Sequence, residues 1–245
     1  MVMQAKESSV QSLRSCQLHV AGGIWDFARE HAAAINAHWQ RATALNPNYF
    51  NGMIHLIEDL HLDATHLDAR LLATDFKSYL YWRDQGYPEA RVLDGFGSAL
   101  LRSRDGAILL GRQRAGNING GLAYLPGGFI DARDVGADGS VDLAASVSRE
   151  LVEETGLDVG RLTRAPGFYV TRTQAQISIA APFTSEQSAD ELKADIESHI
   201  AGDPKSELTD IVVIRTVSDL ADLAMPPYAK VLVAELIAPG AKVGA

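Results

Sequence analysis

Two segments carry most of the information in this chain: residues 149–157, RELVEETGL, and a turn at residues 126–128, PGG. In a helix, Glu150, Glu153 and Glu154 stand at i, i+3 and i+4, so three carboxylates share one face. Like charges this close raise one another's pKa unless a cation lies among them, and carboxylate oxygens suit Mg²⁺ or Mn²⁺. A solvated acidic helix face with a glycine C-cap gives the same pattern. These residues alone leave both interpretations open.

Length and composition describe an ordinary globular chain. With 245 residues and 47% hydrophobic content, it can bury one large core or two modest ones. The single cysteine, Cys16, cannot form an internal disulfide, which is consistent with a reducing compartment. No apolar run approaches the ~20 residues of a membrane span, and the first residues lack a signal-peptide core. We therefore expect a cytoplasmic protein without membrane contacts.

The net charge limits the partners. A formal charge of −9 argues against binding to long nucleic acids, because the phosphate backbone requires a basic surface. A small phosphorylated ligand held by a metal and a few arginines is compatible with this charge. We expect a small-molecule ligand and no nucleic acid.

Periodicity predicts strands and helices interleaved along the whole chain. Apolar alternation and β-branched runs predict strands at residues 12–20, 53–62, 67–72, 95–103, 107–114, 159–172, 176–183 and 208–215. Helical spacing and cap residues predict helices at residues 24–45, 76–85, 188–200 and 227–237, besides the glutamate-rich helix. Because the order lacks a strict βαβ alternation, we predict an α+β fold with a mixed sheet flanked by helices.

The two segments together resemble the signature of the Nudix hydrolases. In that family a glycine pair opens a loop, and the following helix reads R-E-U-x-E-E-x-G-U, where U is a bulky apolar residue. Residues 149–157 match this helix letter for letter. The resemblance implies a Nudix α/β/α sandwich with a mixed sheet over residues 91–245. Residues 1–90 then form an N-terminal strand-helix-strand extension that packs on or beside the catalytic domain.

The loop between the two segments departs from the family pattern. Asp134 stands where the family usually has a glutamate, and fourteen residues instead of seven separate it from Arg149. The seven extra residues, 135–141, are rich in turn formers, and we expect them to bulge outward before Asp142 caps the helix. An EF-hand-like calcium loop starting at Asp134 is excluded, because Ala145 would stand at position twelve, where a carboxylate is needed.

The resemblance implies Mg²⁺-dependent or Mn²⁺-dependent hydrolysis of a pyrophosphate bond in a nucleoside diphosphate linked to another group. The metal ligands that it implies are Gly127, through its carbonyl, Glu150, Glu153 and Glu154. The catalytic residues that it implies are Arg149, Glu150, Glu153 and Glu207.

Two of these catalytic residues have specific expected roles. Glu207 lies in the loop before the strand at 208–215 and is the candidate general base, with Glu150 as the alternative. Arg149 is expected to tie the signature helix to its loop by a charge-assisted hydrogen bond to Asp131 or Asp134.

Four residues are predicted to bind substrate. Arg112 and Arg114 would share one face of a strand near the signature loop, where they could hold phosphate oxygens. Ordinary edge charges would give the same pattern. Lys77 could reach a phosphate or remain in water, and Gly128 belongs to the glycine pair.

The N-terminal ninety residues carry the only indication of substrate identity. Residues 46–52 and 74–83 resemble a Nudix branch with a similar extension and a lengthened loop, which includes hydrolases of UDP-glucose and UDP-galactose. This resemblance implies a UDP-sugar substrate that gives UMP and a sugar 1-phosphate. The alternatives are an ADP-ribose, NAD-like or CoA-like substrate, and a catalytically silent nucleotide-sensing module. A strand-bearing extension is also a natural surface for a homodimer.

Overall fold

A computed structural model of the chain describes residues 9–173 and 175–238. The helices are α1 Asp26–Glu30, α2 Ala32–Leu45, α3 Phe76–Asp84, α4 Leu143–Thr155, α5 Ala189–Gly202 and α6 Pro227–Ile237. The first six strands are β1 Ser9–Leu13, β2 Ser15–Ala21, β3 Met53–Leu62, β4 His66–Asp75, β5 Asp94–Arg102 and β6 Ile108–Gln113. The remaining strands are β7 Ala123–Tyr124, β8 Gly127–Phe129, β9 Leu162–Arg164, β10 Phe168–Arg172, β11 Gln176–Ser185 and β12 Leu208–Ile214.

The larger sheet is mixed, and helices cover both of its faces. Its main path runs β1-β10-β11-β5-β6-β12, and β7, β8 and β9 attach beside it. Strands β5 and β11 pair in parallel, whereas the other neighbours pair antiparallel. Successive side chains of a strand point to opposite faces. Ile179 accordingly packs in the core with α4 and α5, while Ala180 packs with α6. The predicted mixed α+β sandwich is confirmed.

The N-terminal residues contribute to both sheets. Strand β1 pairs with β10 in the large sheet, whereas β2, β4 and β3 form a separate three-stranded sheet. The single strand expected at 12–20 is therefore broken at Arg14, where the amides of Arg14 and Ser15 both donate to the Thr65 carbonyl. The helix expected at 24–45 is likewise interrupted, because α1 ends at Glu30 and His31 separates it from α2.

The seven-residue insertion is mostly exposed, as expected, but its backbone also pairs with the small sheet. The Val20 amide donates to the Gly139 carbonyl at 2.8 Å, and the Val141 amide donates to the Leu18 carbonyl at 3.0 Å. Strand β2 is an edge strand of its sheet, and an edge leaves backbone donors and acceptors to be satisfied. The insertion supplies those partners, and so it connects the signature loop to the N-terminal sheet.

Ile57 of β3 joins the two sheets. Its amide and carbonyl exchange hydrogen bonds of 2.9 and 2.8 Å with Leu93, just before β5. Its side chain is fully buried in the same core as Val147 of α4, and a Cβ on Gly95 would lie only 2.7 Å from Ile57 Cγ1. The N-terminal strands and the larger sheet therefore share one hydrophobic core.

Among the helices of residues 9–173 and 175–238, none combines the length and the hydropathy of a membrane-spanning segment.

Because Ile57 belongs to this shared core, Ile57→Ala should lower the free energy of unfolding by about 2–5 kcal/mol. Urea unfolding followed by circular dichroism should show one cooperative transition for the wild type and one for Ile57→Ala. The matched control is Ile24→Ala, whose side chain is 74% exposed and should change stability by less than about 0.5 kcal/mol. A separate early transition for the N-terminal strands in Ile57→Ala would contradict the shared core.

Candidate active site

Helix α4 presents the three glutamates beside the glycine turn. The Asp142 side chain caps its first turn by accepting from the Ala145 amide at 3.0 Å, as the sequence predicted. The helix ends at Gly156, which has φ of 68° and lies against His199, so that a Cβ there would collide with the imidazole. Its apolar face, with Val147 and Leu151, packs onto the sheet.

Glu154 is the most buried of the acidic residues on α4. Its Oε1 accepts from the Tyr124 hydroxyl at 2.9 Å and from the Gly127 amide at 3.4 Å. Its Oε2 is buried and has no hydrogen-bond partner among the described residues. Burial, reinforced by the negative charge of Glu207, raises the pKa of Glu154 well above its usual range. A buried carboxylate oxygen without a partner is the kind of group that a cation can satisfy.

Glu150 lies against the glycine turn. A Cβ on Gly128 would lie 2.8 Å from Glu150 Oε2, so the absence of a side chain at this position allows the carboxylate to approach the backbone. Burial raises the pKa of Glu150 against the opposing charge of Arg149, and the negative charge of Glu153 adds to the rise. Gly127 has a similar requirement, since a Cβ there would collide with the backbone of β5.

Arg149 connects α4 to the signature loop. Its Nη2 donates to Asp134 Oδ1 at 2.8 Å, and its Nη1 donates to Glu150 Oε1 at 2.6 Å and to Glu153 Oε2 at 3.3 Å. The Asp134 side chain is almost completely buried and also accepts from the Asp131 amide. Of the two partners expected for Arg149, Asp134 is the one that it contacts. Asp131 instead pairs with Arg133 at 2.7 Å.

Glu207 lies close to the glutamates of α4. It precedes β12, and its carbonyl accepts from the Arg114 amide at 2.7 Å, which fixes the loop. Partial burial and the negative charge of Glu153 raise the pKa of Glu207. Four carboxylates are therefore close enough to influence one another: Glu150, Glu153, Glu154 and Glu207.

The oxygen donors fit a divalent cation, although the side chains do not already surround a single point. Over residues 9–173 and 175–238, no three acidic, histidine or cysteine side chains converge as metal ligands. Instead, Arg149 and Arg133 pair with the oxygens of Glu150 and Glu153. The fit rests on the unpartnered Oε2 of Glu154 and on the mutual repulsion of the neighbouring carboxylates.

A cavity of about 540 Å³ opens beside these carboxylates. Glu150, Glu207 and the glycine pair line one part of it, and residues from the N-terminal half line another. Several of its polar residues were not identified from the sequence: Asp94, Asp131 as a cavity residue, Arg133 and Gln176. Arg133 had a signal in the sequence, as a basic residue inside the signature loop.

Three residues expected to bind substrate do not line this cavity. Arg112 pairs across the strands with Asp210 and donates to the Gly121 carbonyl at 3.2 Å. Arg114 donates to the Ser206 carbonyl at 2.6 Å, and Lys77 donates to Asn36 Oδ1 at 3.0 Å beside α2. In the described structure their cationic groups contact neighbouring backbone and side chains. Gly128 does line the cavity.

The Arg149–Asp134 pair should show strong energetic coupling. Arg149→Met leaves the buried Asp134 carboxylate without its ion-pair partner, which typically costs about 3–5 kcal/mol. A double-mutant cycle with Asp134→Asn, measured by urea unfolding, should give a coupling energy above about 1 kcal/mol. The exposed pair Arg29–Asp26, 2.8 Å apart, is the control, with expected coupling below about 1 kcal/mol. Equal coupling in both cycles would contradict the assigned role of Arg149.

Glu154 should make the metal-free protein less stable as the pH rises. Below the usual glutamate pKa of about 4.3, the carboxyl is protonated in both the folded and unfolded states. Above that pH the unfolded state ionises, whereas the raised pKa of Glu154 keeps the folded state protonated, so stability falls until the folded pKa is passed. In EDTA, Glu154→Gln should therefore melt at a higher temperature than the wild type at pH 8 and at the same temperature at pH 4.

The control for this experiment is Glu186→Gln, at an exposed position, which should follow the wild type at both pH values. Melting temperatures for Glu154→Gln and wild type that stay equal at pH 8 would show that Glu154 is not destabilised by burial.

Comparison with known proteins identifies the family. The sequence profile of the NUDIX domain matches residues 94–229. No curated protein matches the chain. Among solved structures, the Nudix hydrolase RenU from M. smegmatis is 17% identical with a TM-score of 0.38. The match covers 58% of this chain and 83% of the RenU chain.

Two further solved structures are similar at the same level. The MutT protein from Methanosarcina mazei Go1 is 21% identical with a TM-score of 0.37, covering 59% of this chain and 92% of its own. A bifunctional NMN adenylyltransferase/ADP ribose pyrophosphatase from Francisella tularensis, complexed with AMP and a manganese ion, is 17% identical. Its TM-score is 0.39, and the match covers 64% of this chain and 45% of the Francisella chain. Since the profile spans more than half of the chain and includes the glycine turn and α4, this protein belongs to the Nudix family.

Proposed function

We propose that this protein hydrolyses the pyrophosphate bond of a UDP-sugar and releases UMP and a sugar 1-phosphate. The observation that carries the proposal is the grouping of four carboxylates beside the cavity: Glu150, Glu153, Glu154 and Glu207. Nudix enzymes typically use divalent metals and nucleotide-type substrates. Retention of all three α4 glutamates favours an active enzyme over a silent nucleotide sensor.

Mg²⁺ or Mn²⁺ would be held by Glu150, Glu153, Glu154 and the Gly127 carbonyl. When bound, the cation neutralises diphosphate charge and lowers the pKa of a coordinated water. The buried, unpartnered Oε2 of Glu154 supports this assignment. Binding requires the carboxylates of Glu150 and Glu153 to exchange their contacts with Arg149 and Arg133 for the cation.

Glu207 is the proposed general base. Its side chain lines the cavity, and its raised pKa moves its proton affinity towards neutral pH, where a general base is most effective. Glu150 is the alternative base, since it also lines the cavity and has a raised pKa. Arg149 acts as a positioning residue, because its contacts are with Asp134 and the glutamates.

Arg133 is the proposed phosphate-binding residue, in place of Arg112, Arg114 and Lys77. It lines the cavity, and its side chain is 59% exposed. Asp131 orients the guanidinium through two hydrogen bonds of 2.9 and 2.7 Å. A guanidinium held in this way can present its remaining donors to phosphate oxygens in a fixed geometry.

The UDP-sugar assignment is supported by the N-terminal residues. Residues 46–52 and 74–83, which resemble the UDP-sugar branch, include aromatic side chains that line the cavity: Tyr49, Phe50, Phe76 and Tyr79. We further propose that residues 1–90 form the substrate-selecting part of the protein and residues 91–245 the hydrolytic part.

A substrate panel tests this proposal. With Mg²⁺, UDP-glucose and UDP-galactose should give UMP and a sugar 1-phosphate with a higher kcat/KM than ADP-ribose, NAD or CoA. Glu207→Gln should lower kcat about 10²-fold to 10⁴-fold, as expected for removal of a general base. Glu153→Gln should raise the Mg²⁺ concentration needed for half-maximal rate. Glu186→Gln is the control and should retain the wild-type rate.

Two results would contradict the proposal in different ways. If no diphosphate is hydrolysed while UMP still raises the melting temperature, the protein is a nucleotide sensor. If Glu153→Gln leaves both the rate and the Mg²⁺ dependence unchanged, the metal assignment is wrong.

A further inference from the structure

Asp94, the first residue of β5, is a buried carboxylate in the cavity that the hydrolytic chemistry does not use. It is only 2% exposed and lines the cavity. Its Oδ2 accepts from the Tyr79 hydroxyl at 2.8 Å and from the Gln176 amide nitrogen at 2.9 Å. Its Oδ1 has no hydrogen-bond partner among the described residues. One oxygen is therefore fixed by two donors, and the other is buried without a partner.

This arrangement is costly without a ligand. A buried acceptor that lacks a partner loses its hydration without compensation. Burial raises the pKa of Asp94, while the hydrogen bonds from Gln176 and Tyr79 and the positive charge of Arg83 oppose the rise. These three residues favour the ionised form, in which both oxygens are acceptors.

Donors flank this acceptor. Gln176 stands opposite Asp94 in the parallel pairing of β11 and β5, and its amide nitrogen already contacts the carboxylate. Arg83 of α3 lines the same cavity and is held by a hydrogen bond of 3.1 Å to the Ile118 carbonyl. The polar part of the cavity thus offers a carboxylate acceptor next to amide and guanidinium donors.

Aromatic rings form the adjoining walls. Phe129 contacts Tyr79 edge to face, with ring centroids 4.9 Å apart, and Phe96 contacts Tyr228 in the same way at 4.8 Å. Phe50 lies at the cavity with 81% of its surface exposed. Apolar rings beside a buried acceptor suit a planar heterocycle better than a sugar, whose hydroxyls need many polar partners.

We propose that Asp94 accepts a hydrogen bond from the N3–H group of a uracil base, and that Gln176 and Arg83 donate to the flanking base carbonyls. Uracil presents acceptor, donor and acceptor along this edge, which complements donor, acceptor and donor on the protein. Cytosine and adenine present a ring-nitrogen acceptor that would face the carboxylate, so both are rejected. This inference rests on the proposed UDP-sugar function and assigns the residues that select its base.

The geometry dictates what Asp94→Asn should do. Tyr79 and Gln176 both donate to the Oδ2 position, so the amide oxygen of the asparagine must occupy it. The amide NH₂ group then lies where Asp94 has Oδ1, and an acceptor becomes a donor. Cytosine, whose N3 is an acceptor, then matches this amide, but its exocyclic amine opposes one of the flanking donors. Uracil and cytosine each have one mismatched position against the variant, so the substitution should abolish the preference for uracil.

Calorimetric titration of the full-length protein with Mg²⁺ tests this proposal, with UMP, CMP and N3-methyl-UMP as the ligands. The wild type should bind UMP at least about tenfold more tightly than CMP or N3-methyl-UMP, as expected for a hydrogen bond to a charged acceptor. Asp94→Asn should bind UMP and CMP with similar affinity and should lose most of the discrimination against the methylated base. Asp68→Asn, at an exposed position on β4, should match the wild type.

Several outcomes would overturn the proposal. Equal binding of UMP and N3-methyl-UMP by the wild type would do so, and this measurement does not depend on whether Asp94→Asn folds. Tighter wild-type binding of CMP or AMP than of UMP would also overturn it, as would an unchanged preference in Asp94→Asn.

These outcomes are distinguishable from failure of the proposed hydrolysis. Selective UMP binding that Asp94→Asn abolishes, together with no turnover of UDP-sugars, supports the base site and rejects the enzymatic proposal. Turnover of UDP-sugars with no effect of Asp94→Asn on base preference rejects the base site alone.

Discussion

The constraint on which the rest of the site depends is the burial of Glu154 beside other carboxylates. Its Oε1 is held by Tyr124 and Gly127, whereas its Oε2 has no partner among the described residues. Such a group destabilises a fold unless it is protonated or a cation compensates it. The neighbouring features accommodate this group: the glycine turn allows close approach, and Arg149 fixes the loop through Asp134. A divalent cation is the simplest compensation that uses all of these features.

The N-terminal residues line one part of the cavity, and residues of the Nudix domain line the rest. Ile57 joins the small sheet to the core of the large one, and the loop insertion hydrogen-bonds to the edge of β2. Helix α3 then delivers Tyr79 to Asp94 across the boundary between the two halves. The residues that line the cavity thus come from both parts of the chain, and a shared core fixes their relative position.

Local patterns in the sequence were sufficient for the fold class and for the glutamates of α4, because helical spacing and caps act over a few residues. The cap at Asp142 and the helix Pro227–Ile237 are as predicted. Features that depend on tertiary pairing were not predictable. Arg112 faces Asp210 because of the register between β6 and β12, and Asp94 meets Tyr79 only through packing of α3. The insertion likewise looked like a free loop, since nothing local indicates that β2 has an open edge.

The most direct test of the account is a crystal structure with Mn²⁺ and a UDP-glucose analogue whose bridging oxygen is replaced by methylene, with Mn²⁺ located by anomalous scattering. The account predicts an anomalous peak coordinated by Glu150, Glu153, Glu154 and the Gly127 carbonyl, with the uracil N3 within hydrogen-bond distance of Asp94 Oδ1. A peak away from the α4 glutamates, with Glu154 Oε2 still lacking a partner, would contradict the central claim that these buried carboxylates form a cation site.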